Sequence, residues 1–86
     1  MPRISEFFGI IISMYFNDHS PPHFHARYGD FEAAFRIDTL EVIQGELPRR
    51  SNALVLEWAA QHRVELMGDW EKARDGTGLT PIEPLE

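Results

Sequence analysis

Apolar and polar positions change rhythm midway along this chain. Phe7 to Phe16 is rich in β-branched and aromatic residues and ends at Asn17-Asp18 followed by Pro21-Pro22, so it reads as a first strand stopped by turn chemistry. His23 to Tyr28 reads as a second strand, closed by Gly29-Asp30. From Phe31 to Ile37 the pattern alternates, with Phe31, Ala33, Phe35 and Ile37 on one side and Glu32, Ala34 and Arg36 on the other, the period of a half-buried strand. Leu40 to Gln44 forms a shorter fourth strand. The connections are short, which favours an antiparallel meander, because parallel neighbours need long crossovers.

Beyond Pro48, which suits a helix start because its missing donor costs little there, the period becomes helical. Leu54, Val55, Trp58, Ala59, His62 and Leu66 share one stripe, the lid of the core. Gly68 is a point where the helix kinks or splits, Asp69 then caps a short continuation carrying Trp70 and Ala73, and Gly76 stops it. Ile82 and Leu85 dock an extended tail. The expectation is an α+β fold in one domain over residues 1–86: a small antiparallel meander of three to four strands, then a C-terminal helix packed on one sheet face.

Strand parity sharpens this picture. Phe24, Ala26 and Tyr28 fall on one face of the second strand, and His23, His25 and Arg27 on the other. If the apolar set meets the helix, the histidines face away from it, joined by Glu32, Arg36, Glu41 and, from the first strand, Ser13 and Tyr15. That face admits three chemistries. Imidazoles at alternate strand positions suit one transition-metal ion, with His23, His25 and His19 as first ligands and Asp18 or Glu32 as further candidates. Acid-base work on a phosphodiester would use His23, His25 and Asp18, with Arg27, His19 and Arg36 contacting the substrate. The third reading is a solvated polar face that receives a partner protein.

His62, within the apolar stripe, is expected to be a packed histidine with a polar partner, and Asp18 is a candidate for that partner. Trp58 and Trp70 are expected as core anchors. Pro21 and Pro22 stiffen the turn before the second strand, and either preceding peptide bond is a candidate for the cis form.

Composition narrows the choice. With 86 residues, 43% of them apolar, the chain can form a core without staples, and the absence of cysteine removes disulfides and thiolate metal sites. The formal charge of −6 opposes non-specific binding to a polyanion such as DNA. Seven of the eight basic residues are arginines, so a local phosphate-binding patch stays open. The apolar stretch Phe7 to Ile12 is too short to span a membrane, and a cytoplasmic location follows by default.

The segments "MPRISEFFGI", "NDHSPPHFHARYG", "GELPRR", "LEWAAQHRVEL" and "PIEPL" together resemble the small bacterial proteins known as domain of unknown function 4160, over nearly the whole chain. The resemblance implies that Asp18, His19, Pro21, Pro22, His23, Phe24, His25, Tyr28 and Gly29, with Leu47, Pro48, Trp58 and His62, match the family's signature positions. Leu40, where the family often has glycine, and Gly68, inside a usually uninterrupted helix, depart from it. Members are often encoded beside another small protein. This implies a toxin-antitoxin-like pair that acts on RNA or phosphate, the alternatives being an interaction module or a histidine-ligated metal protein. A neighbouring gene product, RNA and a second copy are the expected partners. A divalent transition metal is the candidate cofactor, none being required, and the residues leave open whether the protein is an enzyme.

Overall fold

A computed structural model describes residues 3–16 and 18–86. Five strands form one antiparallel sheet in sequence order: β1 (Arg3–Phe7), β2 (Ile10–Ser13), β3 (His23–Tyr28), β4 (Phe31–Arg36) and β5 (Val42–Glu46). Two helices follow, α1 (Arg49–Gln61) and α2 (Arg63–Asp75). The α+β meander is therefore as expected, with one more strand and one more helix.

The additional strand arises where Phe7 to Phe16 was expected to run as one piece. Phe8 (φ 49°) and Gly9 (φ 79°) both take positive φ, the signature of the two-residue type I′ hairpin turn, so the chain folds back and β1 pairs with β2. A continuous apolar run hides this turn, because Phe8 lacks the usual Asn or Gly. The Asn17 expected to help end the first strand lies outside the described residues. The β3–β4 turn at Gly29 (φ 60°) falls where expected, with Tyr28 paired to Phe31. The last strand begins two residues later than expected, because Leu40 (φ 62°) is spent in the preceding turn, where its N–H bonds the Arg36 carbonyl at 2.8 Å. Gly45 (φ 72°) is required in β5, since a Cβ there would lie 2.2 Å from the Glu32 carbonyl oxygen of β4.

One sheet face carries the core. Phe24 and Phe35 stack with centroids 5.3 Å apart, and Trp58 of α1 packs edge-on to Phe24 at 5.9 Å and against Phe7 at 5.3 Å. Val55 and Ala59 of α1 and Leu66, Trp70 and Ala73 of α2 complete the cluster with Ile10, Ile12 and Met14. Both tryptophans are thus core anchors.

The helical segment breaks at His62, not at Gly68. His62 (φ −129°, ψ 27°) leaves helical geometry, its N–H reaching back three residues to Ala59 while its carbonyl accepts from Leu66. Beyond the break, α2 contributes Leu66, Trp70 and Ala73 to the core. Gly68 sits inside α2, and Asp69 is not a cap: it is buried in mid-helix, its Oδ1 accepting the Thr80 N–H at 2.9 Å. Gly76 (φ 78°) ends α2 as expected, and the Thr77 N–H bonding the Lys72 carbonyl completes a Schellman-type closure. The tail then returns along the sheet edge. Ile82 donates to the Ile4 carbonyl of β1 at 2.8 Å, and the Trp58 indole N–H donates to the Glu83 carbonyl at 2.8 Å. Among the described residues no helix is long and apolar enough to cross a membrane.

Candidate metal centre

The site forms where the loop from residue 18 to Pro22 meets the start of β3. The Pro22 carbonyl accepts the Ile37 N–H at 3.0 Å, which pins the loop's end to the far end of β4. The Ser20–Pro21 peptide bond is cis. From this loop Asp18 turns inward, and from β3 His23 and His25 emerge on the same side of the sheet, two residues apart. Their rings meet edge-on with centroids 5.1 Å apart. Both Nε2 atoms converge on one carboxylate oxygen, Asp18 Oδ2, at 2.9 Å from His23 and 3.2 Å from His25. Nearest donor atoms of all three residues lie within 4.8 Å of one another.

The opposite ring nitrogens are engaged as well. His23 Nδ1–H donates to the Pro21 carbonyl at 2.7 Å, and His25 Nδ1 lies 3.5 Å from Glu32 Oε2. A carbonyl oxygen has no hydrogen to give, so the His23 Nδ1 must carry one. Its Nε2 then faces Asp18 with either a second proton or a lone pair aimed at a cation. Tyr15 closes the other side, its ring edge-on to His25 at 4.4 Å. Burial pushes the Tyr15 hydroxyl up from its ordinary pKa, and the Glu32 carboxylate adds to that.

Asp18 is held in its ionised form. Burial alone would raise its carboxyl, but the hydrogen bonds from His25, from the His19 backbone N–H and from His23 outweigh it, so the pKa falls below the ordinary carboxylate value. The His19 N–H on Oδ1, at 2.9 Å, leaves Oδ2 for the imidazoles.

The converging set differs from the trio His23, His25 and His19 expected for a metal. Asp18 takes the third place: its carboxylate is drawn inward by the two imidazoles, and His19 contributes its backbone N–H while the residue itself is exposed. His23 is also more enclosed than an outward-facing residue should be. It is 7% exposed because Trp70 of α2 packs on its ring at 5.2 Å. Parity places imidazole and core on opposite faces, but it carries no information about a second helix closing over the sheet end.

The expected substrate contacts do not gather here. Arg36 is the cross-strand partner of His23, yet its guanidinium grips Asp38, Nε at 2.6 Å and Nη2 at 3.1 Å. Arg27 stands exposed on the same face as His25, opposite Glu32. His62 has the expected polar partner, but that partner is Glu65, at 2.6 Å from Nδ1, and not Asp18. The i, i+3 spacing, from the residue that precedes α2 to the helix's first turn, explains the choice. The Pro21 carbonyl and the Trp70 ring were missed as parts of the site. Trp70 is one turn after Leu66, a spacing that could have placed it on the buried face.

No curated protein and no solved structure matches this chain. The family model described as Domain of unknown function (DUF4160) matches residues 9–71, a span that holds Asp18, both sheet histidines and Trp70, and the chain belongs to that family.

Proposed function

We propose that this protein binds a divalent transition-metal ion of the zinc type through Asp18 and the Nε2 atoms of His23 and His25. The observation that carries the reading is the polarity of the His23 ring: Nδ1 is committed as a donor to Pro21, which leaves Nε2 as the nitrogen directed at Asp18. Metal-binding histidines characteristically donate their second ring N–H to a backbone carbonyl or a carboxylate, and Pro21 and Glu32 stand in those two positions. The His23 ring faces two acceptors, the Pro21 carbonyl and Asp18, and a divalent ion placed between Nε2 and Asp18 satisfies the second. Neighbouring ligands about a tetrahedral ion at zinc distances are about 3.3 Å apart, close to the 2.9 and 3.2 Å separations seen here.

Three protein ligands leave a position for water or a substrate atom, the pattern of reactive rather than purely structural zinc sites. A phosphate- or RNA-directed role is a second reading, favoured by the exposed Arg27 on the same face. It uses the same ion and is tested by whether RNA cleavage or binding follows Arg27→Ala.

Thermal melting of untagged protein with and without zinc tests the metal. Zinc at a hundredfold excess over its Kd raises stability by about 2.7 kcal/mol. The rise should vanish in His25→Ala and survive in His19→Ala. Equal melting temperatures for the wild-type chain with zinc and with chelator would remove the proposal.

A further inference from the structure

The two edges of the sheet are treated differently. Along β1 the chain's own tail supplies a partner, Ile82 donating to the Ile4 carbonyl. β5 has β4 on one side only, and all five of its residues are exposed. Among the described residues no backbone bond from outside the sheet reaches Val42–Glu46. Such an edge presents unpaired donors and acceptors to any extended chain. It also carries apolar side chains, Val42 at 42% and Ile43 at 44% exposure.

Charge selects the occupant. Glu41 precedes the strand and Glu46 ends it, Glu32 lies directly across from Glu46, and no Lys or Arg occurs from Asp38 to Pro48. Glu46 has no ion-pair partner among the described residues, and the cation nearest Glu41, Arg36, spends its hydrogen bonds on Asp38. Carboxylates facing each other across strands repel, and a cation brought alongside relieves that. A second copy of this chain is a poor occupant: pairing two β5 strands antiparallel about Gln44 would set Glu46 of each copy opposite Val42 of the other, next to its Glu41, and so gather carboxylates at both ends.

We propose that the β5 edge docks an extended basic segment of another protein, which joins the sheet as a sixth strand with its cations beside Glu41 and Glu46 and apolar residues over Val42 and Ile43. This reading is independent of the metal.

The probe is a nine-residue peptide with Lys near both ends and alternating Val and Thr between, titrated into the full-length protein at low salt while the amide resonances of residues 41–46 are followed by NMR. Saturable binding centred on those amides is expected. It should weaken by about tenfold or more when Glu replaces Lys in the peptide, disappear when alternate peptide nitrogens are methylated, and switch to the Glu peptide in the double variant Glu41→Lys, Glu46→Lys. The proposal is overturned by no binding of the Lys peptide, by equal binding of the methylated peptide, or by a wild-type dimer in sizing chromatography that is broken by those two substitutions.

Discussion

Asp18 and Asp69 both sit largely out of water, yet their carboxyls move in opposite directions because their neighbours differ. Asp18 gathers two imidazoles and a backbone N–H, and its pKa falls. Burial dominates at Asp69, the Thr80 N–H and the Lys72 charge do not compensate, and its pKa rises, with Oδ2 left unpartnered. Each shift has a pH signature. Between the lowered value of Asp18 and the ordinary carboxylate value, the unfolded chain holds a proton that the folded one lacks, so the Asp18 contribution is lost as pH falls through that window. Between the ordinary value and the raised value of Asp69, the folded chain holds the extra proton, so stability falls as pH rises. Asp69→Asn keeps the Thr80 bond and removes the buried charge. In chelator, urea unfolding across pH should show that this variant loses the decline on the rising side. Asp18→Asn should lose the acid-side slope and cost about 1–3 kcal/mol at neutral pH, because the amide has no charge and one acceptor oxygen where the carboxylate uses two, one for the His19 N–H and one for the imidazoles.

Elements are set here by a few backbone conformations as much as by side-chain pattern. Phe8 occupies a positive-φ turn position while 58% exposed, so it bears the strain of that conformation without the compensation of burial. Phe8→Asn should raise stability by about 1 kcal/mol in denaturant titration. Gly45→Ala should do the reverse and lower it by more than about 2 kcal/mol, since the added methyl meets the Glu32 carbonyl at 2.2 Å in a left-handed conformation. These positions also explain what was legible in the sequence. The alternation of Phe31 to Ile37 and the Gly29 turn marked β3 and β4 well. The β1–β2 turn was hidden by an aromatic residue in an apolar run. The helix break at His62 was hidden too, because an ordinary polar residue interrupts the helix while Gly68 continues it. In the site, the histidine side of the sheet could be read from parity. The inward turn of Asp18 and the cover from Trp70 depend on how a loop and a second helix close over the sheet end, which no local pattern encodes.

At the scale of the molecule, the sheet is clasped twice. The tail is tied to the helices and to β1 through Asp69, Trp58 and Ile4, and the loop before β3 is tied through Pro22 and the Asp18 cluster. Trp58→Phe preserves most of the core ring but removes the indole N–H, leaving the Glu83 carbonyl without that donor. It should cost about 1–3 kcal/mol and speed hydrogen exchange in the tail ahead of the sheet. The second clasp is where the account is most exposed, because a metal ion would join loop and sheet through residues that are otherwise held only by hydrogen bonds. Long-range nitrogen-proton NMR of the histidine rings, recorded as zinc is added to one equivalent, reads the ligating atoms directly. His23 and His25 alone should change, each keeping Nδ1–H and losing any proton on Nε2, while His19 and His62 stay as they were. Unchanged His23 and His25 rings at full equivalence, or a response carried by His19 or His62, would contradict this assignment.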